Sequence, residues 1–527
     1  MISQVNKEVV LEVQSKNSYG LPYCLHSLKV VIIKHIMNRF LIFFICMMFP
    51  LVFAGCSREP QKPKEPSAAA KGEVAQEKQK PESRPPAEKE ISARTTLLAT
   101  IADDEKPQAA VAIAGHGMPP ASSLFQVFFS ESGRGAAYIA EKNGKTYVVH
   151  NGKAGKQYAN VGTVALSPDG QRIAYGAIVD GKWRMVIDGK EGKSYNAVGT
   201  PLFSPDSKHV AYKAMLGERW FIAVDNAVNS GTKANYAKQE FNADSTLIAY
   251  VENADDKNKG RLVVSDLGFK TQTSLDGVGL PMITNTDKTR IAAVSISDNK
   301  QRVIEFSFSA PRAVKKGPLY DAIHNLAFGP DGVSLAYDAE RAGAHLLIFN
   351  DREDGISKGT LVGPPVIRPD LKAVGAIIAK NDPASQHVAG NLADNSTSLH
   401  QSFINAAGKG KEYEEAAGLV YNRDGSIYAY VARTGQGWFV VVNGEEGPVF
   451  DRVVTPVFSP DGKLLVYRAR KDGKRFVVVA DTKGKTIKQH PAYEQVFQPV
   501  FTPDGKSVGY GVKDGQKLIW KVENLDK

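Results

Sequence analysis

The sequence predicts an all-β fold: a β-propeller of about ten four-stranded repeats, following a signal peptide and a disordered tether. Three observations carry this expectation. A ten-residue unit, typified by FSPDSKHVAY at Phe203–Tyr212, recurs along the chain. Most steps between copies are 37 to 44 residues, with one of 54. The intervening segments are short apolar runs broken by Asn-Gly and Asp-Gly pairs, and they hold no apolar stripe of helical period.

The unit itself reads as strand, turn, strand. An apolar pair precedes a Ser-Pro-Asp turn, in which Pro sets φ and Asp accepts from a backbone N–H two residues on. An alternating run then ends in Ala-Tyr. Clear copies are LSPDGQRIAY (Leu166–Tyr175), FNADSTLIAY (Phe241–Tyr250), FGPDGVSLAY (Phe328–Tyr337), YNRDGSIYAY (Tyr421–Tyr430), FSPDGKLLVY (Phe458–Tyr467) and FTPDGKSVGY (Phe501–Tyr510). Weaker copies lie at Phe129–Tyr138, Ile283–Ala293 and Ile367–Ala376. Ten phase marks follow: 138, 175, 212, 250, 293, 337, 376, 430, 467 and 510. Repeats of short strands at this period suit four-stranded blades. Ten exceed the usual four to eight, so one large ring and two smaller propellers both stand.

Ahead of the repeats, Phe40–Gly55 is an apolar run, FLIFFICMMFPLVFAG, too short for a comfortable membrane span of about 20 residues. Asn38 and Arg39 precede it and Cys56 ends it, the pattern of an export signal over 37–55. Met37 is a plausible start, which makes 1–36 an upstream extension outside the protein. Residues 56–94 are rich in Pro, Lys, Glu and Ala and read as a tether that buries too little to order itself. The repeat domain is then 95–527, with 95–117 as its closing-strand region. All three cysteines, Cys24, Cys46 and Cys56, precede the repeats, so the fold uses no disulfide. The formal net charge is +10, dispersed over the chain without a long run of like charge. That excludes a nucleic-acid patch as the expected reading.

One repeat parses as Val164–Ser167, Arg172–Ile178, Trp183–Ile187 and Ser194–Val198, with turns at Asp180-Gly181 and Asp188-Gly189. Trp183, Trp220 and Trp438 each lie five residues before Asp188, Asp225 and Asn443. Their recurrence favours packing between blades over a ligand platform. The long step carries an insertion, Lys380–Gly408, which is either a specificity loop or decoration. The last repeat supplies only three strands. The run Thr96–Ile101 or Ala109–Ala114 is therefore expected to pair with Lys517–Val522 and close the array.

The recurring [F/L]-S-P-D-[G/S]-x-x-[I/V/L]-A-Y unit resembles the propeller repeat of TolB-like and WD-like bacterial proteins. The accompanying V-V-x-G-x-E-G-x-x-[Y/F] unit is similar to a lipoprotein-type repeat. The resemblance covers roughly 118–527 and implies fold more than function. The ending Leu51-Val52-Phe53-Ala54-Gly55-Cys56 resembles a bacterial lipobox, which implies lipidation at Cys56, anchoring through the lipid, and residence in the cell envelope. Ser57 after the Cys implies the outer membrane, facing the periplasm.

No catalytic constellation is legible. G-x-S-x-G occurs at Gly355–Gly359 and Gly505–Gly509, but neither serine sits between a strand and a helix. The ten histidines are scattered, and no metal or cofactor motif appears. Asp169, Asp206, Asp331, Asp461 and Asp504 are read as caps of their own turns rather than as channel ligands for a cation. The expected function is a non-catalytic binding or scaffold protein for an envelope protein, peptide or glycan. The alternative is an envelope hydrolase or lyase with its site assembled at the propeller mouth.

Overall fold

In the computed structural model, each sequence repeat forms its own antiparallel blade. The structure describes residues 94–108 and 127–525, apart from 234, 253–259, 357–358, 380–399, 405–407, 455 and 503. The chain divides into Met1–Pro86 and Ala87–Lys527, and every described residue belongs to the second unit. Cys56, the signal segment and the tether therefore lie outside the described residues, as does the Ala109–Ala114 run.

Nine sheets form among the described residues, and one of them carries two blades, which gives ten. The double sheet arises because Thr271–Thr284 is continuous. Its first half is the outer strand of blade 4 and its second half the inner strand of blade 5. Elsewhere that crossover breaks, as between Lys190–Tyr195 of blade 2 and Ala197–Val198 of blade 3. This corrects the sequence parse, which merged the two pieces into one strand. The physical reason is the turn before them. Asp188 and Gly189 both have positive φ, 50° and 78°, so a two-residue hairpin reverses the chain and the outer strand starts at once.

The Ala-Tyr pair explains how blades stack. Successive strand residues point to opposite faces. In the second strand of blade 2, Tyr175 packs toward blade 1 with Ala137 and Tyr158, while Ala174 faces blade 3 beside Tyr212. Tyr467 likewise packs back on Ala429 and Phe450 of blade 8. In these blades one face of the sheet thus offers a small residue and the other a ring that fills the space, whereas blades 5 and 7 carry Ala293 and Ala376 in place of the ring. The rings meet edge to face: Tyr195 with Tyr212 at 6.4 Å, Tyr320 with Tyr337 at 6.0 Å and Tyr413 with Tyr430 at 6.2 Å.

Such clusters join each blade to the next. Val466 and Val477 of blade 9 pack on Val508, Tyr510 and Val512 of blade 10. Leu518 of blade 10 in turn packs with Ala99, Val127, Tyr138 and Val149 of the seam and blade 1. The ten blades therefore make one ring, and of the two arrangements left open by the sequence the single large ring forms.

The seam is closed by Arg94–Thr100. This strand pairs antiparallel with Lys517–Asn524 as the fourth strand of blade 10, in the register Arg94↔Val522, Leu97↔Ile519 and Thr100↔Lys517. Lys106–Pro107 then crosses to blade 1 and pairs with its second strand. Among the described residues, no ring meets Tyr138 edge to face as Tyr158 meets Tyr175. Glu105 takes that place, accepting from Tyr138 Oη at 2.5 Å and Tyr147 Oη at 2.6 Å.

Candidate functional site: the ends of the ring and the clefts between blades

The Pro-Asp turns all lie at one end of the ring. Ser167 Oγ donates to Asp169 Oδ1 at 2.5 Å, Asp169 Oδ1 accepts from Gln171 N, and Arg172 N donates back to Ser167 Oγ. Asp206 has the same partners in Ser204 and Lys208 N, Asp461 in Ser459 and Lys463 N, and Asp504 in Thr502 and Lys506 N. Asp331 accepts from Ser334 N and Ser334 Oγ. In repeats whose turn sequence is less regular, Asp244, Asp287, Asp370 and Asp424 receive the backbone N–H two residues on. These carboxylates are held charged. The Ser167 hydroxyl lowers Asp169. Burial opposes the charge on Asp206, but Ser204, Lys208 and Ser245 outweigh it and bring the group to about 2.

The turns are also tied to one another. Asp169 N donates to Ser207 Oγ and Asp206 N to Ser245 Oγ, both at 3.2 Å across blade boundaries. Asn285 Nδ2 donates to Gly332 O of the next blade at 3.0 Å. A second set of side chains completes the belt. Asn151, Asp188, Asp225, Asn350 and Asn443 have positive φ and accept from the first backbone N–H of the neighbouring second strand.

The tryptophans pack rather than present. Trp220 and Trp438 are buried in the clusters between blades, and Trp183 packs against one of them. Ser507 is buried and opens a strand, Ser507–Asp514, with no helix following. Ser357 lies outside the described residues. The insertion is shorter than the sequence suggested. His400–Ile404 and Gly408–Tyr413 are the third and fourth strands of blade 7, so the connecting segment is 380–399. Its polar composition hid those strands.

Blade 6 gathers one titratable group that sequence separation concealed. His324 Nε2 lies 3.1 Å from Glu340 Oε1, and His345 Nδ1 lies 3.7 Å from the same oxygen. Glu340 and His345 are direct cross-strand partners, and His324 comes from the inner strand Ala322–Phe328. Two residues before Glu340, Asp338 is buried; its carboxyl is pushed up by burial while it accepts from Asn325 N at 2.8 Å. Among the described residues, no group of three or more His, Cys, Asp or Glu has metal-site geometry.

Clefts open at several blade boundaries, and two of them are roomier than the one between blades 5 and 6. One, of about 330 Å³ between blades 2 and 3, is lined by both signs of charge, including Arg172, Asp188, Glu191, Lys208 and Asp225. The other, of about 290 Å³ between blades 9 and 10, is lined by Arg452, Arg468, Arg470 and Arg475 beside Val496 and Phe497. It lies at the end opposite the Pro-Asp turns, next to the Asp472-Gly473 hairpin.

No protein-family model and no curated protein matches the chain. Among solved structures, one described as a crystal structure of the eukaryotic initiation factor is similar at 10% identity and a TM-score of 0.40, over 69% of this chain and 96% of that one. The β-propeller domain of the Trilobed protease from Pyrococcus furiosus is similar at 11% identity and a TM-score of 0.30, over 55% and 94%. TolB from Acinetobacter baumannii is similar at 12% identity and a TM-score of 0.25, over 62% and 79%. At this identity the likenesses concern the propeller outline and transfer no activity, ligand or partner to this chain.

Proposed function

We propose that the protein is a lipid-anchored propeller of a bacterial envelope that serves as a non-catalytic binding scaffold for a protein, peptide or glycan. The observation that carries this reading is the ten-blade ring. One end is knitted into a self-satisfied belt, and the repeated blade boundaries offer clefts on a rigid frame. Rigid scaffolds of this type place recognition groups without needing a reaction centre. The lipobox-like Leu51–Cys56 and the tether after it support anchoring. Acylation with two or more chains gives stable attachment where one does not.

The test has two parts. Cys56→Ser is expected to move the protein from the membrane fraction to the soluble one; retention in the membrane overturns the anchoring. The mature protein, used as bait on envelope extracts, is expected to retain a specific partner or glycan that washes off a bait of equal charge. Recovery of nothing specific counts against the scaffold.

The second reading, an envelope hydrolase or lyase, is favoured by the blade 6 group. Two imidazoles sharing one carboxylate beside a carboxyl of raised pKa have the chemistry of general acid and base work. Glu340→Gln and His324→Gln separate the readings. Loss of a biological phenotype with partner binding intact supports catalysis, and an unchanged phenotype supports the scaffold.

A further inference from the structure

We propose that the cleft between blades 9 and 10 is a binding site for a small organic anion, one that presents a carboxylate or phosphate on a compact body with an apolar side. The inference goes beyond the scaffold reading and holds or fails independently of it.

Strand geometry concentrates the charge. Arg468 and Arg470 are two residues apart in Leu464–Lys471, so they share one face of the sheet. That face looks toward blade 10, because Val466 on it packs against Val508 and Arg468 Nη1 donates to Val496 O at 2.8 Å. Arg475 is the direct cross-strand partner of Arg470, and Arg452 is the partner of Arg470 on its other side. Like charges directly opposite on a sheet repel and destabilise it. Three consecutive strands nevertheless carry an arginine in one row.

The row is not neutralised. Among the described residues, none of these four arginines forms an ion pair with a carboxylate. Glu494, which borders the cleft, has its carboxylate engaged by Lys513, and it offers Arg475 only its backbone oxygen, at 2.6 Å. The Arg452 guanidinium lies over the Trp438 ring, 4.1 Å from its centroid, which orients it without cancelling its charge.

Two buried polar atoms at the cleft are left without partners: Arg468 Nε, a donor, and Gln495 Oε1, an acceptor. Burial also lowers Arg468, and among the described residues its charge is met by the Val496 carbonyl but by no carboxylate. An oxyanion would answer the unpaired guanidinium charge, while Gln495 Oε1 needs a donor, which a hydroxyl on the ligand or a water supplies. A guanidinium presents donors in a fork that fits the oxygens of a carboxylate or phosphate. Val454, Ala469, Val496 and Phe497 supply the apolar wall. The cleft offers about 290 Å³, room enough for a small organic molecule.

Calorimetry on the purified protein at low salt tests this with three probes. Benzoate and phenyl phosphate carry the two candidate anionic groups on a ring, and benzyl alcohol carries the ring alone. Saturable binding of at least one anion with a Kd of about 1 mM or tighter is expected, with the alcohol at least about tenfold weaker. Preference between the two anions assigns the group. Arg470→Gln and Arg475→Gln alter side chains outside the core, so the fold is expected to persist, and each should weaken the anion at least about tenfold. The proposal is overturned if neither anion saturates by about 10 mM, if the alcohol binds equally well, or if both variants, melting like the parent, bind unchanged.

Discussion

At the scale of single residues, the Ala-Tyr pair does the most to set blade spacing. Tyr212 is buried against Tyr195, and Ala211 leaves room on the opposite face. Tyr212→Ala should cost about 3–5 kcal/mol, as deletions of large buried rings do. Ala211→Leu should cost about 1–3 kcal/mol by overfilling the next boundary. Chemical denaturation of both variants checks the pair; a neutral Ala211→Leu would show that the boundary has slack. One position further along, the second strand carries an unusual group. Lys213 donates to Tyr236 O at 2.9 Å, and burial brings its amine down to about 8. An ammonium whose folded pKa lies below its unfolded value of 10.5 binds fewer protons in the native state. Stability should therefore rise between about pH 8 and pH 10.5. Lys213→Met should remove that part of the rise, read from denaturation midpoints at pH 8 and pH 10. Identical slopes in parent and variant would show that Lys213 is not the group responsible.

At the scale of elements, local chemistry was legible in the sequence and cross-blade chemistry was not. The Ser-Pro-Asp turns could be read because the cap, the proline and the receiving N–H lie within five residues of one another. The bonds from Asp169 N to Ser207 and from Asp206 N to Ser245 could not, since each joins turns of successive repeats. The arginine cleft was missed for a related reason. Arg468, Arg470 and Arg475 are near neighbours in RARKDGKR, but alternation and hairpin register decide that they share a face. Counting like charges along the chain has no access to that. The closing strand was legible because a blade one strand short implies a partner elsewhere, and Thr96–Ile101 is β-prone. Its removal gives a test. Deleting residues up to 108 should lower the melting temperature by at least about 5 °C relative to deletion up to 93. Equal melting temperatures would mean that the seam contributes nothing to the ring.

At the scale of the whole molecule, the ring is a chain of like boundaries with one exception. Nine junctions join blades consecutive in sequence. The tenth brings together residues hundreds of positions apart, including Asp103 and Gln516, which are 413 apart and hydrogen-bonded side chain to side chain. Contacts of such separation form late, because a long loop must close before they reward it. The seam is therefore expected to be the last part of the fold to form, which hydrogen exchange during refolding would report as late protection of Arg94–Thr100. Early protection of that strand would contradict it.

The register of the seam also sets how the protein responds to force. Arg94 and Val522 are partners, so the two closing strands leave the ring side by side. Tension applied between the segment before Arg94 and the segment after Asn524 therefore peels the pair apart from that end, loading its hydrogen bonds one after another. A sheared pair would instead share the load among all its bonds. Pulled this way, the ring behaves as a zip fastener with its tab at Arg94, and single-molecule extension should show the seam parting at low force before any blade unravels.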